Sequence, residues 1–470
     1  MPAREKDKIA NVQTYLMKRR LFTQSLIASP LLNLDAAEDG LRISTFEVDV
    51  TPPLESPLCH GNVMPVKQIL TPLLARGMVI LGVEQPIVLC AMDWVALANA
   101  SNVTIRETIA KAVGTTSDRV AVHTVHQHDA PGSDLDTERL LAEHGLGGRF
   151  SNAALDQRMF QAIANAAREC MTKAESVTQV GFGTGKIEKV ASNRRVLGPD
   201  GKVAFTRMSA SKHPQAATAP EGTIDPLVRM VSFWQGERPL AALSYYATHP
   251  MSYYGKGGVN WDFIGSARAL MDKAVPGVRF IHFNGAGGNI TAGKYNDGSP
   301  ENRPVLAGRV FAGLKAAWDS QKKQAVTAAN LEWRVKPVSL PVRHADGEMR
   351  LLATLADAKK TFAQRAFAAR DIVFIRRMAA SGTIPLGNLR IGSAQILHMP
   401  AELFIEYQLA AQQMRPDDFI AMAAYGDNAP SYIGTEIAYT QGGYEVEDRV
   451  SRVSPAVEKV LTQAMRELLA

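Results

Sequence analysis

Residues 227–250 read LVRMVSFWQGERPLAALSYYATHP, and this stretch decides the fold. Leu227–Trp234 and Ala241–Tyr246 are apolar runs of strand length. The second run leads directly into a polar motif, Ala247-Thr248-His249-Pro250. Because a buried strand that ends in polar residues is typical of a site at a sheet edge, this motif is a candidate for function.

The residues that follow extend this stretch into a larger unit. The pattern predicts a helix over Phe263–Val275, with Asp262 as its N-terminal cap. A strand over Arg279–Phe283 comes next and ends in the motif NGAGGN. The unit is therefore strand, polar motif, helix, strand and polar motif.

The same order of elements occurs twice more in the chain. The first copy has strands at Gly77–Leu81 and Ile87–Asp93, a helix at Asn102–Val113, and a strand at Arg119–His128. The last copy has strands at Leu389–Ile391 and Ala394–His398, a helix at Leu403–Gln413, and a strand at Phe419–Ala424. Since ligand sites in α/β proteins collect at the carboxyl ends of strands, we expect the motifs to share one site. The alternative is a coincidental alternation of strands and helices.

This plan predicts a mixed α/β (α+β) fold rather than several independent domains. We expect one large layered domain of mixed sheets flanked by helices over residues 41–470, after an N-terminal extension over residues 1–40. A charged helical stretch, Met349–Met378, is predicted to form a lid or flank, and Ala456–Leu469 a final amphipathic helix.

The charge of the chain is concentrated at its N-terminus. The net charge is +6, but residues 1–20 contain six basic and two acidic residues. No basic stripe is visible on the rest of the chain, which argues against a nucleic-acid partner. The stretch from Met17 has a basic segment, Lys18-Arg19-Arg20, before a mildly apolar one, which resembles a twin-arginine export signal. We therefore expect an exported, periplasmic protein, with a cytoplasmic protein carrying an amphipathic or disordered arm as the alternative.

The cysteine and hydrophobicity patterns exclude two classes of protein. Cys59, Cys90 and Cys170 lie far apart and cannot form a thiolate zinc site, although one disulfide is possible. No apolar run is long enough for a transmembrane segment. Any metal must therefore be bound by histidine, carboxylate or phenol groups. The sequence gives no indication of an oligomeric state.

Three of the ten histidines, His123, His126 and His128, fall close together. On a strand, His126 and His128 would share one face and His123 would lie on the other. Two adjacent imidazoles disfavour each other's protonation, and the neutral ring is the form that binds metal. A pair of solvated or mutually bonded histidines is the alternative interpretation.

The other candidate residues each have an ordinary structural interpretation. His249 could be a satisfied core histidine, and Glu402 could complement the dipole of the helix that it precedes. Tyr432 and Tyr444 could pack as aromatic side chains. Only their combination indicates a functional site.

Taken together, the motifs resemble those of the neutral ceramidase catalytic domain. The strings HQHDAPG, YATHPMS, NGAGGNIT, PAELFIEY and YIGTEIAYTQGGYEV occur here in the order of that family's HTHSGPG, ATHPTS, GDVSPN, GE and YVTTREEY…HYEG motifs. The similarity runs from about Ile43 to Val446. Its most specific part is the spacing between Tyr432 and Tyr444, which matches without a gap.

The resemblance implies a zinc site and substrate contacts. It implies that His126, His249, Glu402 and Tyr432 bind Zn²⁺. It also implies that His128, Tyr444 and one arginine, for which we choose Arg194, contact the substrate. Chemistry supports the same function apart from the resemblance. A zinc ion with one open coordination position suits an amide hydrolase, because zinc activates water and polarises a carbonyl.

The chain departs from the family pattern at two places. The family serine is replaced by the stretch Gly288-Asn289-Ile290-Thr291, so we expect attack by zinc-activated water, with Asn289 and Thr291 as substrate-binding residues only. The resemblance does not extend to the immunoglobulin-like C-terminal domain of longer ceramidases, so we expect a small or more soluble N-acyl substrate to be as good a candidate as ceramide.

Three functions fit these residues. The first is a zinc-dependent amidohydrolase that cleaves an N-acyl amide, either a lipid or a smaller compound. The second is a zinc-dependent esterase or lactonase on the same scaffold. The third is a non-catalytic protein with a ceramidase fold, since a fold does not establish function.

Overall fold

A computed structural model of the protein describes residues 40–211 and 214–470. Residues 40–470 form one compact unit. The predicted export signal lies in residues 1–39, outside the described residues.

Three sheets form the framework of this unit. The first contains, in spatial order, Val120–Thr124, Ile87–Met92, Leu74–Leu81, Arg42–Asp49 and Glu175–Ser176. The second contains Arg279–Asn284, Arg238–Tyr246, Leu227–Gln235, Gln179–Lys186 and Lys322–Ala325. The third contains Leu331–Val338, Ile384–Ile391, Ala394–His398 and Phe419–Ala423.

Each sheet contains the same local arrangement. An antiparallel pair of strands leads into a helix and then into a strand that pairs in parallel with the second member of the pair. The three helices are Ala100–Val113, Asp262–Ala274 and Ile405–Met414. The prediction of three similar units in a mixed α+β fold is confirmed.

Further helices cover the sheets and their edges. They are Leu135–Glu143, Ala153–Cys170, Pro214–Thr218, Asn302–Asp319, Glu348–Ala356, Phe362–Ala379, Glu436–Gln441 and Val457–Leu469. Within the described ranges, no helix is both long and apolar enough to cross a membrane.

Short two-stranded ladders join the loops that leave the sheets. Glu402–Leu403 pairs in parallel with Tyr432–Ile433, and Ser192–Asn193 pairs with Ile290–Thr291. The other ladders are Gln68–Ile69 with Gly258–Val259, Ala96–Leu97 with Gly132–Ser133, and Arg195–Leu197 with Val203–Thr206. These ladders fix the loops against one another at one end of the sheets.

The three sheets pack against one shared hydrophobic core. Leu89 of the first sheet, Leu243 and Ile281 of the second, and Leu389 and Ile396 of the third all belong to one cluster of buried side chains. Burial of a leucine or isoleucine side chain contributes about 1.5–3 kcal/mol, so this core holds the sheets together. The loops that carry the polar motifs are thereby held close to one another.

Two predicted elements differ in the structure. The strand predicted to reach His128 ends at Thr124. The stretch Met349–Met378 forms two helices rather than one, because a turn over residues 357–361 separates them. Thr361 starts the second of these helices with a capping box, in which its hydroxyl accepts the N–H of Gln364.

The predicted cap of the middle helix is also corrected. The helix begins at Asp262 itself, and the cap position is Trp261. The carboxylate of Asp262 instead accepts hydrogen bonds from the backbone N–H groups of Ser252 and Phe263. All three cysteines are free thiols, so the possible disulfide does not form.

Candidate metal centre

The loops that follow the strands turn sharply into the site. His126, Ala401, Tyr425 and Ser431 have positive φ values, of 75°, 60°, 60° and 60°. Non-glycine residues adopt this left-handed conformation at a cost of roughly 1–3 kcal/mol, which the surrounding packing must offset. The loops are therefore held in a fixed shape around the site.

Two histidines direct their Nε2 atoms at a common centre, and their Nδ1 atoms bond the backbone behind them. His126 Nδ1 donates to the carbonyl of Val95 at 2.6 Å, and His249 Nδ1 donates to the carbonyl of Gly287 at 2.7 Å. A carbonyl can only accept, so Nδ1 carries the proton and Nε2 of each neutral ring keeps its lone pair. This second hydrogen bond is the usual support of a metal-binding histidine.

Glu402 lies between these rings. Its Oε2 is 3.3 Å from His126 Nε2 and 3.2 Å from His249 Nε2. Burial tends to raise the pKa of Glu402, while contact with His126 and His249 lowers it well below its ordinary value when those rings carry a proton on Nε2. Between two neutral rings a bound cation would take over this role and keep the carboxylate ionised. The backbone of Glu402 also passes very close to position 288. A Cβ there would lie 2.2 Å from the carbonyl oxygen of Glu402, so this position requires glycine.

Tyr432 completes the group through its hydroxyl. Its backbone pairs with that of Glu402, and its hydroxyl is 3.4 Å from His249 Nε2. Arg194 Nη1 donates to the Tyr432 hydroxyl at 3.0 Å, and Arg194 Nε lies 3.1 Å from the buried carboxylate of Glu445. The neighbouring Arg195 instead bonds Gln441 and the carbonyl of Ala438. Of the two arginines, Arg194 is the one in contact with the site.

His128 and Tyr444 lie at the open side of the site. Both side chains are partly exposed. The His128 ring is 5.2 Å from that of His126, and the Tyr444 ring is 5.7 Å from that of Tyr432. His128 Nε2 has no hydrogen-bond partner among the described residues.

These residues fit a bound metal ion. The side chains of His126, His128 and His249 offer nitrogen atoms that all lie within 4.8 Å of one another, so this cluster can bind a metal. His126 Nε2 is buried and has no hydrogen-bond partner among the described residues, which is costly unless a ligand satisfies it. The predicted ligands His126, His249, Glu402 and Tyr432 surround the same point, and nitrogen and oxygen donors of these types suit zinc.

Thr291 and Asn289 make contacts within the protein instead. The Thr291 hydroxyl accepts the N–H of Gly293 at 3.2 Å. The Asn289 side chain accepts the N–H of Ile405 and donates to Glu406, both at 2.9 Å. Asn289 is fully buried and therefore holds the start of the helix that follows Glu402.

Two residues of the site were not predicted. The Tyr425 ring packs 4.5 Å from that of His126, and its buried hydroxyl has no partner among the described residues. Glu445 is fully buried and pairs with both Arg194 and Arg195. Tyr425 comes two residues after the strand Phe419–Ala423, and this position at a strand end is a signal that could have identified it.

Comparison with solved structures identifies the fold. The chain is similar to a structure described as "Ceramidase complexed with C2", with a TM-score of 0.68 and 16% sequence identity over 92% of this chain and 75% of that one. It is equally similar to neutral ceramidase from Pseudomonas aeruginosa, with a TM-score of 0.68 and 17% identity over 92% of this chain and 74% of that one. No protein-family model and no curated protein matches the chain. The fold predicted from the motifs is confirmed.

Proposed function

We propose that this protein is a zinc-dependent hydrolase that cleaves N-acyl amides. The observation that carries the proposal is the convergence of His126, His249, Glu402 and Tyr432 on one point, where the Nε2 atoms of both histidines meet the carboxylate of Glu402. The shared fold supports it, because the ceramidase structures are named for an amide-cleaving activity. The fold alone does not carry the reaction, since one fold supports many functions.

In this proposal the four ligand residues are held ready before substrate arrives. Zinc, when bound, lowers the pKa of water and polarises a carbonyl group. Val95 and Gly287 fix the two imidazole rings by accepting their Nδ1–H groups. Arg194 donates to the Tyr432 hydroxyl and so fixes the phenol.

His128 and Tyr444 are the residues proposed to bind the scissile amide. Both lie at the open side, where a substrate carbonyl can approach the centre. A donor that is already in place stabilises the negative charge that develops on the carbonyl oxygen during hydrolysis. The buried Glu445 orients Arg194 and acts on the reaction only through it.

We infer the location of the protein in the cell from its N-terminal sequence. The basic and apolar pattern that begins at Met17 supports export to the periplasm, where an acyl amide would be hydrolysed outside the cytoplasm. Fractionation of cells that express the full chain tests this location: we expect the protein in the periplasmic fraction, with a shorter N-terminus.

Removal of the metal tests the proposed reaction. We expect the purified protein to contain one zinc ion, to lose hydrolysis of an N-dodecanoyl amide after chelation, and to regain it when zinc is restored. The variant His126→Ala should lose both zinc and turnover. Since loss of a residue that only supports a metal ligand costs roughly 10–100-fold, loss of the ligand itself should cost more.

His344→Ala is the matched control, because this partly exposed histidine pairs with Asp448 and takes no part in the proposed ligand set. It should keep the zinc and the activity. Full activity of a metal-free preparation would contradict the proposal. Cleavage of the matched dodecanoyl ester alone would assign the site to esters.

A further inference from the structure

A cavity of about 390 Å³ lies beside the helix Glu436–Gln441. Its walls come from three parts of the chain: the ladder that begins at Arg195, the segment 220–223, and the stretch that contains Phe404 and the helix. None of the proposed metal ligands is among the described residues that line it. Ligand pockets in proteins typically have volumes of about 300–1,000 Å³, so this cavity is large enough for a small molecule.

Hydrogen bonds hold the walls of the cavity in place. Arg195 Nη2 donates to the carbonyl of Ala438 at 3.1 Å, which joins the ladder to the helix. Arg207, which follows the ladder, donates to the carbonyls of Ala219 and Pro220, both at 3.1 Å. The ladder is thereby joined to the other two walls, and the cavity is a fixed part of the fold.

The cavity has an apolar base and an apolar mouth. Phe404 and Ala438 line it and are 1% and 2% exposed, so they form its base. Leu197 and Ile437 line the same cavity but are 47% and 60% exposed, so they lie at its mouth. Single exposed aliphatic side chains are common, whereas two at one cavity are typical of a groove that binds an apolar group. An alkyl chain in the cavity would cover both of them.

The charged side chains that line the cavity already have partners within the protein. Arg195 pairs with the buried carboxylate of Glu445 at 3.3 Å, and the N–H groups of Arg207 bond backbone carbonyls. Glu221 accepts the hydroxyl of Tyr295, and Glu406 accepts the side-chain amide of Asn289 at 2.9 Å. Two positive and two negative groups therefore balance one another, and an uncharged head group fits this cavity better than an ion.

A layer of ion-paired side chains lies between the cavity and the candidate metal centre. Arg195 lines the cavity and bonds Glu445, which also pairs with Arg194 at 3.1 Å. Arg194 in turn donates to the Tyr432 hydroxyl at 3.0 Å. A molecule in the cavity is therefore held beside the metal centre without entering it.

We propose that this cavity is a second binding site, which holds the alkyl chain of a neutral single-chain amphiphile. The chain contacts Phe404 at the base and Leu197 and Ile437 at the mouth, and the uncharged head group stays in water. The site goes beyond the proposed hydrolysis, because binding there needs neither the metal nor the reaction.

Calorimetric titration with N-decanoyl-N-methylglucamine tests the site. This soluble compound joins a decanoyl chain to an uncharged head group, and it is used below the concentration at which it forms micelles. We expect one saturable binding event. N-acetyl-N-methylglucamine has the same head group without the long chain and should bind more weakly by roughly tenfold or more. Decanoate should also bind more weakly, and tighter binding of decanoate would contradict the assignment to neutral amphiphiles.

The variant Ile437→Asp places a charge at the mouth of the cavity, at an exposed position in the first turn of a helix, where aspartate is compatible with folding. It should weaken binding by roughly tenfold or more, because the chain would have to cover the charge. Ile437→Leu should keep the binding.

The control is Val305→Asp, which introduces the same charge at a position that is 46% exposed and also lies in the first turn of a helix, outside the cavity. It should bind the amphiphile as the wild type does. The absence of saturable binding, or an equal effect of the two aspartate variants, would overturn the inference. These titrations measure no turnover, so the site and the proposed hydrolysis can fail independently of each other.

Discussion

The hydroxyl of Thr291 lies near the candidate metal centre, where the backbone of Thr291 pairs with that of His249, and no base among the described residues activates it. The side chain is fully buried, and its oxygen contacts the N–H of Gly293 and the carbonyl of Met208. No histidine or carboxylate among the described residues bonds this hydroxyl. A threonine nucleophile needs such a partner, so Thr291 is better explained as a residue that supports the loop.

The variant Thr291→Val tests this interpretation. Valine has the same shape but loses the hydroxyl, so we expect the free energy of unfolding to fall by about 1 kcal/mol and kcat to stay within roughly threefold of wild type. Urea unfolding and turnover of an N-dodecanoyl amide measure the two quantities. A loss of turnover by more than a hundredfold in a folded protein that retains zinc would instead make Thr291 a nucleophile.

Single residues were predictable to different degrees. The adjacency of His126 and His128 was predicted from strand alternation, but it arises from a left-handed turn at His126 after the strand has ended. The choice between Arg194 and Arg195 depends on contacts with residues hundreds of positions away, which no local pattern contains. Tyr425 resembles ordinary aromatic packing in the sequence, so its place beside His126 is visible only in three dimensions.

At the scale of elements, the repeated units were predictable and their loops were not. Apolar runs and periodicity indicate strands and helices, because they reflect burial on one face. The break within Met349–Met378 also had a local signal, since Thr361 and Gln364 have the spacing of a capping box. The left-handed conformations at Ala401 and Ser431 have no such signal, because contacts with other loops impose them.

Ala401→Gly tests whether the loop before Glu402 is strained. Ala401 has a φ of 60° and is fully buried. Glycine removes a steric cost of roughly 1–2 kcal/mol but loses about 0.5–1 kcal/mol through the entropy of the unfolded chain. We expect the free energy of unfolding to rise by up to about 1 kcal/mol, as measured by urea denaturation.

The matched control is Ala353→Gly, at an exposed position in the helix Glu348–Ala356. There the same substitution should lower the free energy of unfolding by about 1 kcal/mol. Equal destabilisation by the two variants would show that Ala401 is not strained.

At the scale of the whole molecule, buried neutral histidines link stability to pH. His282 bonds Ser244 at 2.9 Å, and burial, followed by the charge of Arg268, lowers its pKa to about 3. Its pKa in the unfolded chain is about 6.5. As pH falls below that value, the unfolded state binds a proton that the folded state does not, so the folded state loses stability.

The variant His282→Gln should make the acid loss of stability less steep. Between about pH 6 and pH 4 we expect the slope of unfolding free energy against pH to decrease by about 1 kcal/mol per pH unit. Other buried histidines, such as His123, account for the slope that remains. Urea unfolding at several pH values measures the slope. An unchanged slope would contradict the prediction, whatever the absolute stability of the variant.

The sharing of one core by three sheets has a consequence for the order of folding. His126, His249 and Glu402 follow strands of the first, second and third sheets, and Tyr432 comes late in the chain. The proposed ligands therefore meet only after all three sheets have docked, so a metal ion held by them could not act as a nucleus during synthesis and would bind the finished protein. A ribosome-bound chain that stops before Tyr432 would remain without a complete site at any zinc concentration, and zinc uptake would report the last step of folding.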